Sequence, residues 1–265
     1  MKKRTSGIDK YSTFGLREVW LEEFFDFGDE WISNSSLSPR QMAAMINWLI
    51  ESELIDPRTK RTTELFDELR VIYEEDPFFV WGIIWINLYY NSIIIKWYCD
   101  SIKWGVKVSK EDLLEILMVS FPDLSKGTLY NAINAMINMF DNSSLNESFS
   151  LGLLEKKGRA VKSIYKKGVD DELDSLLVAY SLYKVKQHKA RVDFSVSELY
   201  DVNFEGGPYK LFGISQSGLE RKLRGLKYFN NVNIIDAEGG SRLNEIFLNE
   251  KLSSYDLIKF KKEMF

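Results

Sequence analysis

Apolar residues recur at helical spacing along most of the chain, and the places where that spacing stops divide it. Between residues 11 and 31, Trp20, Phe24, Phe27 and Trp31 repeat at helical intervals while Glu22, Asp26, Asp29 and Glu30 fall on another side, which predicts an amphipathic opening helix. Ser38-Pro39 then offers an N-cap followed by proline at the first helical position, where a missing amide proton costs nothing. Met42, Met45, Ile46, Leu49 and Ile50 mark the buried face of the helix so started, over 39–52. Leu54-Ile55, a polar turn over 56–61 and the run 62–69 predict a short strand or wing leading into another helix.

This outline repeats. Ser109 with Asp112 resembles a capping box ahead of Leu113, Leu114, Leu117 and Met118, and Pro122 ends that run. Ser125 caps a following helix with the stripe Leu129, Ile133, Met136, Ile137 and Phe140, so a tight turn over 121–125 predicts a helix-turn-helix. A polar break over 141–148 marks a domain boundary. Beyond it, 174–186 reads as an apolar helix, and 194–200 opens the last module. Ser215 caps a helix with Leu219, Leu223 and Leu226 inward, and two strands, 232–235 and 243–248, flank a glycine-bearing turn over 237–241. The expected fold is mainly α with short β-hairpins: tandem winged-helix-like modules around a Trp-rich helical core. The expected partition is a winged-helix-like module over 1–70, Trp-rich helices with a second helix-turn-helix over 71–141, and a helical and winged-helix-like module over 149–265.

Composition narrows the function. With 265 residues, 45% of them hydrophobic and 14% aromatic, the chain has enough apolar surface for two or three packed sub-domains, which excludes collagen-like and wholly disordered architectures. The 35 Lys and Arg against 39 Asp and Glu leave a net charge of -4, so a global polycation is excluded and nucleic acid must be met by a local basic face. The charge is split: 11–31 holds six acids and one base, whereas 155–191 holds ten bases and five acids. The uncharged stretch 78–95 is long enough to cross a bilayer, but Asn87, Tyr89, Tyr90, Asn91 and Ser92 at its centre favour buried helices over a membrane span. Residues 1–10 are basic and polar, with no apolar core of a secretory signal. One cysteine, Cys99, and one histidine, His188, allow neither a disulfide nor a tetrahedral zinc site, and the reducing cytoplasm is the expected compartment.

No catalytic nucleophile emerges: His188 sits in a cationic exposed segment, and Cys99 follows Lys96-Trp97-Tyr98 in an apolar helix as an inert buried thiol. Gly206-Gly207-Pro208 and Gly239-Gly240-Ser241 lack the phosphate-loop pattern and read as turns. Glu22, Asp26 and Asp29 or Glu30 share a helical side on which a divalent ion would bind in a nuclease, but a solvated acidic face has the same spacing. No cofactor, metal or catalytic residue is assigned. The basic features point to DNA. Arg221, Lys222, Arg224 and Lys227, with Arg242 at the hairpin, are placed to neutralise phosphates, and the helix beginning at Lys126 offers Thr128, Tyr130 and Asn131 to a groove. Protein docking and a passive solubilising surface account for the same charges, and the aromatic block from Trp81 to Trp104 reads as core or a partner interface.

Five segments resemble a bacterial family known as a domain of unknown function, number four thousand and seven. They are Phe14-Gly15-Leu16-Arg17-Glu18-Val19-Trp20-Leu21, Ser38-Pro39-Arg40-Gln41, Trp85-Ile86-Asn87-Leu88, and Gly207-Pro208-Tyr209-Lys210-Leu211-Phe212-Gly213-Ile214-Ser215 followed by Leu223-Arg224-Gly225-Leu226. Members of that family look like companions of phosphoadenosine-phosphosulfate-reductase-like sulfur-transfer enzymes in DNA phosphorothioation and phage-defence gene clusters. The resemblance implies a DNA-associated accessory protein whose partners are duplex DNA and such an enzyme. Sulfur activation does not carry over, because the nucleotide-binding portion and its cysteines are absent here. Two alternatives stay open: a protein scaffold without DNA contact, and a metal-dependent DNA nickase.

Overall fold

The computed structural model describes residues 7–229, 231–239 and 243–265. In chain order the helices of the amino-terminal part are α1 (Glu18–Phe27), α2 (Asp29–Asn34), α3 (Pro39–Glu51), α4 (Glu64–Glu75), α5 (Pro77–Asn91) and α6 (Ile93–Ser101). Then come β1 (Lys107–Ser109), α7 (Lys110–Ser120), α8 (Lys126–Asp141), α9 (Ser144–Glu147), β2 (Leu153–Lys157) and β3 (Ala160–Tyr165). The carboxyl-terminal part has α10 (Ser175–Lys189), β4 (Asp193–Ser195), α11 (Val196–Leu199), α12 (Pro208–Phe212), α13 (Gln216–Leu226), β5 (Ile235–Glu238), β6 (Glu245–Leu248) and α14 (Ser254–Lys262). The fold is mainly α with two small antiparallel three-stranded sheets.

Local side-chain caps start most of the long helices. Ser38 and Gln41 close a capping box on α3, with Pro39 at its first position, and Ser109 with Asp112 does the same for α7. Ser125, Asp174 and Ser215 accept from Thr128, Leu176 and Gly218 amides to start α8, α10 and α13.

The opening segment departs from the expected single helix. Residues 11–17 are not helical, and Gly28, at φ +54°, breaks the rest into α1 and α2, a backbone conformation in which glycine pays no Cβ penalty. Tyr11 instead stacks on Trp48 at 3.6 Å between ring centroids and shares a 2.7 Å hydrogen bond with Ser92. Trp20, Phe24 and Trp31 are buried as expected, while Phe27 is exposed. The strand expected after the polar turn is a single bridge, Ile55 to Thr62. Helix α4 follows at once, because Phe66, Leu69 and Ile72 bury at helical spacing and Thr63 Oγ1 accepts the Phe66 amide at 3.2 Å.

The chain forms two compact units, each discontinuous in sequence: Met1–Arg70 with Asn87–Lys167, and Val71–Ile86 with Gly168–Phe265. The polar break over 141–148 lies inside the first unit. There the Glu18 carboxylate accepts the Ser144 amide at 2.9 Å, and the Glu18 amide donates to the Asn142 carbonyl at 2.8 Å.

Both units repeat one order of elements. In the first, α6, β1, α7, α8, the short α9, β2 and β3 follow each other, and β3 lies between β1 and β2. In the second, α10, β4, the short α11 and α12, α13, β5 and β6 follow each other, and β6 lies between β4 and β5. The last two strands sit a few residues from their expected places. Val232 only bridges to Phe229, and pairing begins with Ile235 opposite Leu248.

Among the described residues no single helix is long and apolar enough to cross a membrane. The uncharged stretch is two helices, α5 and α6, broken at Ser92, and its polar groups are used inside the fold. Asn87 Nδ2 donates to the Ser52 carbonyl and Asn91 Nδ2 to the Glu51 carbonyl, both at 3.0 Å. In the second unit Trp85 Nε1 donates to the Leu211 carbonyl at 2.8 Å. Gly82 there admits Leu177 so closely that a Cβ would lie 2.4 Å from its Cδ1.

Candidate nucleic-acid interface

Helix α13 carries the main set of basic candidates. Its start is held twice: Ser215 Oγ accepts the Gly218 amide at 3.0 Å, and the Ser215 amide donates to Asp170 Oδ1 at 2.5 Å. Leu219, Leu223 and Leu226 are buried, which turns Arg221 and Arg224 outward and leaves Lys222 and Lys227 half-buried.

These cations do not form a bare ridge. Arg221 is ion-paired with the Asp171 carboxylate, and Lys222 Nζ donates to the Asp171 carbonyl at 2.8 Å. Lys227 Nζ reaches the Ala237 carbonyl on β5 at 3.3 Å. Arg224 stands exposed, and Arg242 lies outside the described residues. Because Arg221 and Asp171 are 60% and 77% exposed, their pairing adds little stability, but it cancels most of the field Arg221 would offer a phosphate.

The second candidate helix, α8, is open only near its start. Lys126 and Tyr130 are exposed, whereas Leu129, Ala132, Ile133 and most residues onward to Phe140 are buried. Thr128 is committed to the cap: its amide and its hydroxyl both lie within hydrogen-bond reach of Ser125 Oγ, at 3.1 and 3.0 Å. Asn131 is half-buried. Lys126 and Tyr130 share one face, being four residues apart. Lys110, which begins α7, places Nζ 4.6 Å from the centroid of the Tyr130 ring.

The basic region 155–191 contains a feature not foreseen from its charge alone, the β2–β3 hairpin. A Lys-Gly-Arg turn between Leu153-Leu154 and the β-branched Val161 and Ile164 is its sequence signal. Lys110 had no signal of its own, because its value comes from Tyr130, twenty residues away.

The other candidates resolve as follows. Cys99 is buried and His188 exposed. Trp81, Trp85, Tyr89, Trp97 and Tyr98 are core residues. Of the acidic quartet, Asp29 is used to accept the Thr62 amide at 2.8 Å. Among the described residues no three His, Cys, Asp or Glu side chains converge as metal ligands would.

No family model matches the chain, and no curated protein matches its sequence. Its fold is similar to that of a magnesium ion-bound SspB crystal structure, at a TM-score of 0.69 and 16% identity, over 98% of this chain and 88% of that one. A second SspB crystal structure is similar at a TM-score of 0.67 and 15% identity, with the same coverage of each chain. At such identity the likeness speaks for the fold. The magnesium ion belongs to that SspB structure.

Proposed function

We propose that this protein is a DNA-associated accessory component of a bacterial DNA-modification system of the phosphorothioation type, or of a related phage-defence system. In this reading it holds duplex DNA and places a phosphoadenosine-phosphosulfate-reductase-like sulfur-transfer enzyme on it. The observation that carries the proposal is the fold likeness, along 98% of the chain, to SspB, a protein of a DNA phosphorothioation system. The sequence resemblance leads to the same setting, and the enzyme partner comes from that resemblance alone. A single buried cysteine suits a cytoplasmic location.

The repeated element order supports DNA as the ligand. Helix, strand, helix, helix and a two-stranded hairpin, with the first strand paired to the last, is the order of a winged helix. In that reading α8 and α13 occupy the recognition-helix position, with Lys126, Thr128, Tyr130 and Asn131 on one and Arg221, Lys222, Arg224 and Lys227 on the other. Arg242 belongs to the same proposal.

The test is affinity purification from cells carrying the native gene neighbourhood, with and without nuclease, alongside duplex titration of the purified protein. We expect a sulfur-transfer enzyme retained after nuclease and duplex affinity that falls steeply with salt. A retained partner with no duplex affinity would replace the proposal with a protein scaffold.

A further inference from the structure

Strands β2 and β3 are joined by the two-residue turn Gly158–Arg159, and Gly158 adopts φ +64° with nothing within 4 Å of where a Cβ would stand. Every residue from 155 to 160 is exposed, so the turn projects into solvent. Pairing passes from Glu155 opposite Ser163 to Lys156 opposite Val161, which makes Lys162 a bulged residue, and it too is exposed. Two charges of the hairpin are used internally: Lys156 pairs with Asp141, and Glu155 accepts from Lys107 at 2.5 Å. Lys157, Arg159 and Lys162 form no ion pair with any described residue.

The strand register sets what lies beside this tip. Strands β1 and β2 are both antiparallel to β3, so both run towards the hairpin turn. Ser109 pairs with Ser163, and α7 therefore begins, at Lys110, at the turn end of the sheet. Lys110 rests on Tyr130, which shares a helix face with Lys126. Hairpin tip, Lys110, Tyr130 and Lys126 thus gather at one end of the first unit.

We propose that this end of the first unit is the surface that takes the duplex, with the β2–β3 ribbon entering a groove and Lys157, Arg159 and Lys162 meeting phosphates. The inference rests on the duplex-binding reading above and names its surface. A two-stranded ribbon fits the major groove, and cations without internal partners release counterions from DNA without first breaking an ion pair. The α13 set offers less, since Arg221 already carries Asp171 and two of its lysines hold backbone carbonyls. A lipid surface is the poorer fit, because residues 155–160 present no large apolar side chain for insertion.

The test is titration of a labelled mixed-sequence duplex with the full chain at several salt concentrations, for the wild type, Lys157→Glu with Arg159→Glu, and Arg221→Glu with Arg224→Glu. Melting curves check the fold. For the hairpin pair we expect binding weaker by tens of fold, roughly, near 0.1 M salt, a log–log salt slope shallower by about two, and an unchanged melt. The α13 pair should lose less. Lys162→Gln, a milder change at one position, should flatten the slope by about one. Wild-type binding with an unaltered slope in the hairpin variants overturns this inference and leaves the duplex reading intact. No wild-type duplex binding at all overturns both. Equal loss of binding to anionic vesicles, with duplex binding unchanged, assigns the tip to a membrane instead.

Discussion

The Lys261 ammonium lies 2.9 Å from Oδ2 of Asp174, the carboxylate whose Oδ1 starts α10 by accepting the Leu176 amide at 2.7 Å. The same ammonium lies 2.7 Å from Asp76 Oδ2, and Asp76 Oδ1 accepts the Phe79 amide at 2.9 Å in the first turn of α5. One nearly buried cation from α14 therefore ties together the capping carboxylates of two core helices. Burial works to lower its pKa, but the hydrogen bonds and charges of Asp76 and Asp174 outweigh this and raise it. Lys261→Met leaves both part-buried carboxylates facing each other, and urea unfolding should show a loss of about 2–4 kcal/mol. A loss within 0.5 kcal/mol, roughly the range of surface substitutions, would mean the clamp is decorative.

Gly15 seats the opening loop on the backbone of α8. A Cβ there would stand 2.0 Å from the Met139 amide nitrogen, and Asn138 Nδ2 donates to the Thr13 carbonyl at 2.6 Å beside it. Backbone cannot swing away as a side-chain end can. Gly15→Ala should cost about 3 kcal/mol or more, read as a fall in melting temperature. An unchanged melt would show that the loop has no fixed seat.

Glu51 makes stability depend on pH near neutrality. It is 5% exposed, paired through Oε1 with Lys10, while its buried Oε2 has no hydrogen-bond partner. Burial is the largest influence and raises its pKa from 4.5 to about 7, against the opposing pull of Lys10 and Ser92. Between those values the folded protein keeps a proton that the unfolded chain has released. This contribution is therefore full below about pH 4.5 and is lost as pH rises through about 7. Moving from pH 5 to pH 8 should remove on the order of 2 kcal/mol by this group alone, and Glu51→Gln should flatten that slope. Parallel wild-type and variant profiles would clear Glu51 of the effect.

Asp171→Asn isolates the question of α13. The pair with Arg221 is exposed, so unfolding free energy should stay within about 0.5 kcal/mol. With its neutralising neighbour gone, Arg221 should raise duplex affinity severalfold, roughly, at low salt. Unchanged affinity would take Arg221 out of the interface.

Helix starts were legible because capping is a local matter. Ser38 with Gln41, Ser109 with Asp112, and Ser125, Asp174 and Ser215 each meet a partner within one turn, and each begins a helix where the residue types placed it. The break at Gly28 was less legible, since glycine inside an amphipathic pattern is compatible with a continuous helix. Its φ of +54° is the left-handed conformation glycine admits, and Phe66 lies at ordinary contact distance, 3.5 Å, from a Cβ position there. Helix α14 was missed although Ser253 and Asp256 form its capping box, because its apolar stripe is only Leu257 and Ile258.

The amino-acid sequence by itself determined where most of the capped helices begin, most of the aromatics that leave water, and that the chain is mainly α with small hairpins. Those properties follow from spacing and from partners a few residues apart. Tertiary structure decided which charges are available. Arg221 meets Asp171 across 50 residues, and Lys110 meets Tyr130 across the turn between two helices. Lys157, Arg159 and Lys162 stay without ion-pair partners among the described residues, because the register sets Lys157 at the last pair before the turn, Arg159 in the turn and Lys162 at the bulge of β3, all exposed. A side chain's charge is written in the chain, but its field depends on what folding brings within a few ångströms of it.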